Sequence, residues 1–260
     1  MKLHFKSFGD DNAPPLLILH GLFGMLDNWQ TLGRKFAETY RVYLIDQRNH
    51  GKSPHSLEFD YYLMADDLLE FMDEHDIEKA HLIGHSMGGK TVMQFAVENP
   101  NRVNKLVVVD ISPEDYPAGH DDIFKALFDV NIDLLQSRSE ADEALKSLVE
   151  EKGVRQFLLK NLTRNKSGGY QWKFNLQAIH FNYANILANS LTDFDVFEGD
   201  TLFVKGGKSE RYMQAGKADE LIVAHFPKAK IEVVEDAGHW VHAEQPDAFF
   251  EVVSVFLGWN

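Results

Sequence analysis

Cysteine is absent from this chain of 260 residues, and basic residues are scarce. Without thiols the chain can form no disulfide bond, no thiolate metal site and no cysteine nucleophile. The 26 lysines and arginines are outnumbered by 40 aspartates and glutamates, which gives a formal net charge of -14 at pH 7. An acidic surface of this kind argues against nucleic acid and anionic membranes as partners.

Long hydrophobic runs are missing as well. No stretch approaches the roughly 18 apolar residues that indicate a membrane-spanning helix. Residues 1–10 contain no hydrophobic signal core, so we expect no Sec-type export and, given the lack of cysteine, a cytoplasmic location. With 44% hydrophobic residues the chain can still bury a large core within one compact domain.

A pattern typical of a nucleophilic serine lies near the end of the first third of the chain. The apolar segment 80–83 leads into the sequence Gly-His-Ser-Met-Gly at 84–88, and helical spacing follows. A serine on a sharp strand-to-helix turn needs small residues two positions before and after it, because the strand and the helix nearly touch there. Gly84 and Gly88 meet this need, so we interpret Ser86 as the nucleophile, with an inert serine in a structural turn as the alternative.

A serine nucleophile needs a neighbouring base, and His239 is the best placed of the twelve histidines. His239 follows the predicted strand 230–234 and precedes the predicted closing helix 246–257. Loops at the carboxyl ends of late strands are where a doubly wound sheet collects its catalytic groups. The alternative is a loop histidine that caps the helix or packs on Trp240.

Other histidines carry weaker signals. We interpret His242 as a structural residue. His81 and His85 have a metal-like spacing, but on a strand they lie roughly 13 Å apart, so a shared metal ion is not expected.

The candidate acid follows the first predicted strand after the nucleophile helix. An ionised carboxylate is needed to orient the imidazole and to stabilise its charged form. The apolar run 105–109 ends in Asp110, whereas the later strand 201–204 leads into a Gly-rich loop whose acid is Glu210. We favour Asp110 over Glu210. If Asp110 is not catalytic, it caps the turn that follows its strand.

Predicted strands alternate with predicted helices on both sides of one long insertion. Strands are predicted at 3–8 and around Leu16, Val42, Leu82, Leu106, Leu202 and Ile231, and helices near 28–36, 61–74, 90–98, 215–224 and 246–257. This alternation predicts an α/β fold, a doubly wound and mostly parallel sheet with helices on both faces. Residues 111–200 are too many for a simple crossover. We therefore expect a helical cap (lid) at 111–200 over a core formed by 1–110 and 201–260, in one structural domain overall.

The order of these motifs resembles the α/β-hydrolase superfamily over essentially the whole chain, and the bacterial YbfF-type esterases most closely. The matching segments are His-Gly-Leu-Phe-Gly at 20–24, Asp-Gln-Arg-Asn-His-Gly-Lys-Ser at 46–53, Gly-His-Ser-Met-Gly-Gly at 84–89, Val109-Asp110 and Ala-Gly-His-Trp at 237–240. Serine, aspartate and histidine follow one another in the superfamily's order. The resemblance implies the α/β-hydrolase fold, with its cap inserted after the strand that corresponds to the sixth strand of that fold. It also supports Asp110 as the acid.

The resemblance further implies an oxyanion hole formed by two backbone N–H groups. They belong to Leu22 and Met87, with Phe23 as the less favoured alternative to Leu22. Met87 begins the helix after the nucleophile, where the dipole favours an anion. Arg48 is interpreted as a residue that ties its loop by hydrogen bonds, with a substrate-facing role as the alternative.

These residues predict a serine hydrolase that needs no cofactor and no metal. The expected activity is that of a carboxylesterase that cleaves small esters with short acyl chains through an acyl-enzyme intermediate. The short-chain preference is implied by the resemblance alone. Alternatives are an acyl-CoA thioesterase, a carbon–carbon bond hydrolase or menaquinone-pathway-type lyase, and a non-catalytic hydrolase-like protein that binds a ligand.

Overall fold

A seven-stranded sheet forms the centre of the computed structural model, which describes residues 1–209, 211–214 and 216–259. Its strands are β1 (Phe5–Phe8), β2 (Pro15–Leu19), β3 (Arg41–Ile45), β4 (Ala80–His85), β5 (Val103–Val109), β8 (Thr201–Gly206) and β9 (Ala229–Val234). Between β5 and β8 in the chain, β6 (Leu162–Arg164) and β7 (Tyr170–Trp172) form a separate hairpin. The spatial order is β1-β3-β2-β4-β5-β8-β9. Every neighbouring pair is parallel except β1 with β3, so the predicted mostly parallel sheet is confirmed.

Helices cover both faces of this sheet. Those outside the insertion are α1 (Gln30–Phe36), α2 (Tyr61–Glu74), α3 (Met87–Glu98), then, after the insertion, α9 (Lys217–His225), α10 (Val241–Glu244) and α11 (Pro246–Leu257). Buried side chains of α2, α3 and α9 pack with Leu17 and Leu82 on one face. Those of α1 and α11 pack with Ile18 and Ile83 on the opposite face. Because both faces are covered, the central strands are continuous apolar runs rather than alternating ones.

Helix boundaries agree with the sequence signals where those signals are local. Helix α2 begins after Asp60, whose side chain accepts a hydrogen bond from Leu63 N–H at 2.8 Å. Helix α11 has Pro246 in its first turn and ends at Gly258, which has a φ of 92°. Helix α3 differs from the prediction, because it begins at Met87 and includes the glycine pair that follows. The helix predicted at 215–224 is α9, and Ala215 lies outside the described residues.

Residues 111–200, called the inserted region below, are mainly helical. They contain α4 (Asp121–Asp129), α5 (Arg138–Lys146), α6 (Lys152–Leu159), the β6–β7 hairpin, α7 (Leu176–Phe181) and α8 (Tyr183–Leu187). Apolar side chains of these elements form one cluster with Phe23 and Met87, which follow the carboxyl ends of β2 and β4. The inserted region therefore lies against the edge of the sheet that carries the candidate site. Among the described residues, no helix has the length and apolar character needed to cross a membrane.

Candidate active site

Ser86 lies at a strained turn between β4 and α3. Its φ of 52° and ψ of -118° are unusual for a residue other than glycine. A Cβ atom at Gly84 would lie 2.2 Å from the carbonyl oxygen of Gly88, and one at Gly88 would lie 2.7 Å from that of Leu19. The start of α3 thus lies so close to β4 and to the end of β2 that both flanking positions require glycine. The turn brings the Ser86 hydroxyl to the carboxyl edge of the sheet.

His239 connects Ser86 to Asp110 by hydrogen bonds. Its Nε2 atom lies 3.1 Å from the Ser86 hydroxyl, and its Nδ1 atom lies 2.7 Å from a carboxylate oxygen of Asp110. Since Nδ1–H donates a hydrogen bond to the carboxylate, Nε2 carries the free lone pair and can accept the proton of the serine. The structure therefore brings together the three residues that the sequence singled out from three separate strand ends.

The Asp110 carboxylate is fully buried and is held by the end of β8. One oxygen accepts the N–H of Gly206 at 2.9 Å, and the other accepts the hydroxyl of Ser209 in addition to the imidazole of His239. These donors fix the orientation of the carboxylate towards His239. Ser209 was not identified from the sequence, although its hydroxyl lies in the Gly-rich loop that was considered for Glu210. Glu210 itself lies outside the described residues.

Two further residues hold the loop of His239, and sequence reasoning missed both roles. The ring of Tyr212 stacks on the imidazole of His239, with centroids 3.9 Å apart and planes inclined by 24°. On the other side, Nε2–H of His85 donates to the carbonyl oxygen of His239 at 2.8 Å. Burial lowers the pKa of His85 well below its ordinary value, so this ring is neutral. His85 could have been considered from its place beside the nucleophile, whereas Tyr212 carries no local signal.

The backbone N–H groups of Leu22 and Met87 face no acceptor within hydrogen-bonding distance among the described residues. Met87 is the first residue of α3, where N–H groups have no partner inside the helix. Phe23 N–H, the alternative to Leu22, instead donates to Nε2 of His50 at 3.2 Å. This contact leaves Leu22 N–H as the available group of the loop at residues 20–24, called the 20–24 loop below.

Two buried imidazoles support the 20–24 loop. Nε2 of His20 accepts the N–H of Gln47 at 3.0 Å, and Nδ1–H of His50 donates to the carbonyl oxygen of Arg48 at 3.0 Å. Burial lowers the pKa of His20 to about 4 and that of His50 to about 3. Both rings are therefore neutral at pH 7, which lets each act as donor on one nitrogen and acceptor on the other.

Arg48 and His242 both occupy buried positions. The guanidinium of Arg48 forms a bidentate pair with Asp67, with N–O distances of 2.5 and 2.9 Å, and also donates to the carbonyl oxygen of Glu58. These contacts agree with the loop-tying interpretation of Arg48. The ring of His242 stacks on Trp29 with centroids 4.0 Å apart and planes inclined by 8°. This packing agrees with a structural role for His242.

A cavity of about 330 Å³ opens in front of Ser86 and His239. Its wall on the side of the inserted region is mostly apolar, with Ile123, Val154, Phe157, Leu158, Ile186 and Leu187, and it also carries His120 and Glu151. Among the aromatic residues of the inserted region, Tyr183 and Phe174 both belong to the apolar cluster, but of these two only Tyr183 lines the cavity, and Phe181 is exposed to solvent. The described residues contain no group of three or more histidine, aspartate or glutamate side chains suited to a metal ion.

Lys90 joins the nucleophile helix to both ends of the inserted region. Its buried ammonium donates to the carbonyl oxygens of Glu114 at 2.7 Å, Ala188 at 2.8 Å and Leu187 at 3.1 Å. The ring of Tyr116 lies 4.8 Å from Nζ. Burial lowers the pKa of Lys90 to about 7. This side chain fixes the start and the end of the inserted region to the helix that begins beside Ser86.

Acid should destabilise the fold through the buried histidines. Burial lowers the pKa of His242 to about 3, whereas an unfolded chain has a histidine pKa near 6.5. The unfolded state then binds more protons below that value. The contribution of each such histidine to the free energy of unfolding is therefore fully present above about pH 6.5. It falls by about 1.4 kcal/mol per pH unit as the pH drops towards the folded pKa. We expect urea unfolding between pH 7 and pH 4.5 to show this loss.

The substitution His242→Phe provides the direct check, because it keeps an aromatic ring beside Trp29 and removes the titrating group. Its free energy of unfolding should depend less steeply on pH than that of the wild type. His55→Gln is the control, since His55 is exposed. Equal slopes for the wild type and His242→Phe would contradict a lowered pKa at this site.

Known proteins resemble this chain over most of its length. Residues 14–246 match the sequence profile of the alpha/beta hydrolase fold family. Esterase YbfF of Escherichia coli is 38% identical, with 99% of each chain covered. The sn-1-specific diacylglycerol lipase ABHD11 of Danio rerio is 40% identical, with 96% of this chain and 80% of that protein covered. A solved structure described as a marine microorganism esterase is 39% identical and has a TM-score of 0.95. The match covers 98% of this chain and 99% of that one.

Proposed function

The chain belongs to the alpha/beta hydrolase family, and from this premise we propose that it is a serine carboxylesterase that cleaves small esters with short acyl chains. The observation that carries the proposal is the hydrogen-bonded connection from Ser86 through His239 to Asp110 at the wall of an apolar cavity. Relatives named as esterases, at 38% and 39% identity over nearly the whole chain, support an ester as the substrate.

Acylation begins at the Ser86 hydroxyl. As its oxygen attacks the ester carbonyl carbon, Nε2 of His239 takes the hydroxyl proton, and the charge that develops on the imidazole is stabilised by the Asp110 carboxylate. The tetrahedral intermediate then collapses, the bond to the alcohol oxygen breaks, and Nε2–H protonates that oxygen. The product is an acyl group on Ser86 and a free alcohol.

Deacylation uses the same groups with water as the nucleophile. His239 takes a proton from the water as its oxygen attacks the acyl carbonyl, and it returns that proton to the Ser86 oxygen when the second intermediate collapses. The carboxylic acid leaves and the enzyme is restored. No redox step and no cofactor enters this sequence.

The oxyanion of each tetrahedral intermediate needs donors that are already in place. We assign this role to the N–H groups of Leu22 and Met87, since Phe23 N–H is occupied by His50. The position of Met87 at the start of α3 adds the positive end of the helix dipole.

We assign residues 1–110 and 201–260 to the hydrolase core and the inserted region to a cap within the same structural domain. The argument is that the inserted region supplies the apolar wall of the cavity while the core supplies Ser86 and His239. A cytoplasmic location and the absence of nucleic-acid partners stay predictions from composition.

Activity should be highest on short acyl chains, because the cavity is small and is closed on one side by the inserted region. Each methylene that entered an apolar groove would contribute about 0.8 kcal/mol, so an open groove would give the opposite trend. We expect kcat/KM for p-nitrophenyl esters to fall from acetate and butyrate to dodecanoate. For coenzyme A thioesters with the same acyl groups, we expect kcat/KM to be lower than for these esters.

A matched pair of phenylalanines tests the role of the wall. Phe157→Ala enlarges the cavity and should shift the preferred acyl chain to a longer one, whereas Phe181→Ala removes an exposed ring and should leave the profile unchanged. A steady rise of kcat/KM through dodecanoate in the wild type would contradict the small-ester proposal and favour a lipase. A preference of more than tenfold for the thioesters would favour a thioesterase.

A further inference from the structure

A side-chain hydrogen bond joins the inserted region to the 20–24 loop. Asn161 lies between α6 and β6, and its Nδ2–H donates to the carbonyl oxygen of Phe23 at 2.7 Å. The side chain is fully buried. Its own backbone is fixed on both sides, since its N–H donates to Leu158 and its carbonyl oxygen accepts from Lys173. Asn161 therefore holds a defined position relative to the loop.

Phe23 needs such outside partners because its backbone is strained. It has a φ of 58°, in the left-handed region that residues other than glycine seldom adopt. Its N–H donates to His50, and its carbonyl oxygen accepts from Asn161, so both polar groups of this residue have side-chain partners. One partner belongs to the core and the other to the inserted region.

The ring of Phe23 is held by the inserted region as well. It packs edge to face against Phe124 of α4, with centroids 5.6 Å apart, and against Phe174, with centroids 5.2 Å apart. Side chain and carbonyl group thus make independent contacts with the same part of the chain. Rotation of Phe23 would have to break both.

Leu22, whose N–H we assigned to the oxyanion, directly precedes this residue. We propose that Asn161 is a positioning residue of the inserted region, which fixes the direction of Leu22 N–H by holding the carbonyl oxygen of Phe23. The inference rests on the proposed function. It gives the inserted region a part in transition-state stabilisation besides the shaping of the cavity, although Asn161 does not touch the substrate.

Asn161→Asp is the most selective variant, because it keeps the shape of the side chain and replaces the donor by an acceptor that repels the carbonyl oxygen of Phe23. Asn161→Ala removes the donor without adding charge, and it decides the matter if the aspartate variant does not fold. We expect kcat for p-nitrophenyl acetate to fall by about 10-fold to 100-fold in either variant while KM changes less than about threefold, because the oxyanion forms only in the transition state.

Asn182→Asp is the matched control. Asn182 also lies in the inserted region and donates to a core carbonyl oxygen, that of Leu57, at 2.8 Å, but it does not contact the 20–24 loop. Its kcat and KM should equal those of the wild type. A second readout is inhibition by an alkyl trifluoromethyl ketone, whose adduct with Ser86 carries an oxyanion. The inhibition constant should rise in Asn161→Ala in parallel with the loss of kcat.

The outcomes separate the two proposals. If the wild type hydrolyses the ester and folded Asn161→Ala keeps its kcat, or loses affinity for substrate and ketone alike at constant kcat, the positioning role is overturned and the proposed function stands. If the wild type neither hydrolyses esters nor forms the ketone adduct, the proposed function is overturned, and the inference falls with it.

Discussion

Ser86→Ala and His239→Ala should each lower kcat for ester hydrolysis by a factor on the order of 10³ or more. Ser86 supplies the atom that bonds to the acyl carbon, and His239 moves the proton in every step. Because the two act as one unit, the double variant should be little worse than either single one. The fold should persist, since both side chains border a cavity and fill no part of the sheet's core.

Rates of p-nitrophenyl acetate hydrolysis, circular dichroism and labelling by a fluorophosphonate check this result together. The wild type should be labelled and Ser86→Ala should not, because only an activated serine reacts with the probe. Ser139→Ala and His55→Ala are controls at exposed positions. Near-normal turnover of a folded Ser86→Ala protein would show that the nucleophile has been assigned wrongly.

Asp110→Asn should lower kcat by a factor on the order of 10² to 10⁴, with little change in KM. The amide cannot stabilise the imidazolium that forms when His239 takes the proton. In addition, an amide NH₂ in place of the oxygen that accepts from Gly206 N–H would face a donor. An NH₂ in place of the other oxygen would face the Ser209 hydroxyl and would favour the wrong tautomer of His239.

Glu210→Gln is the comparison for this variant, since Glu210 is the alternative acid that the sequence offers. It should change kcat little. If Glu210→Gln lost most of the activity and Asp110→Asn retained it, the acid of the triad would be Glu210. Both variants should be compared at one pH and checked for folding by circular dichroism.

The sequence predicted the sheet well because its signals are local. Apolar runs bounded by turns mark β2, β4 and β5, and a residue placed directly after such a run, as Ser86 and Asp110 are, must lie at the carboxyl edge of a parallel sheet. His239 was found in the same way. The order of the strands in the sheet decides whether these three residues meet, and that order cannot be deduced from the sequence.

Contacts between distant segments were not predictable in this way. Tyr212 stacks on His239 and Asn161 reaches Phe23 only because loops far apart in the chain meet in space. In the inserted region, Ile123 and Leu127, one turn apart on α4, both pack in the apolar cluster, but of these two only Ile123 lines the cavity. Helical periodicity places both residues on one face of the helix. It does not show which part of that face lines the cavity and which part packs in the cluster.

The single ammonium that binds both ends of the inserted region also limits how that region can move. Glu114 near its start and Leu187 near its end share Lys90, and Tyr116 N–H donates directly to the carbonyl oxygen of Leu187 at 3.0 Å. Any opening of the cavity would therefore have to break contacts that the region makes elsewhere, such as those of Asn161 with Phe23 and of Asn182 with Leu57, while the segments of Glu114 and Leu187 stay at the nucleophile helix.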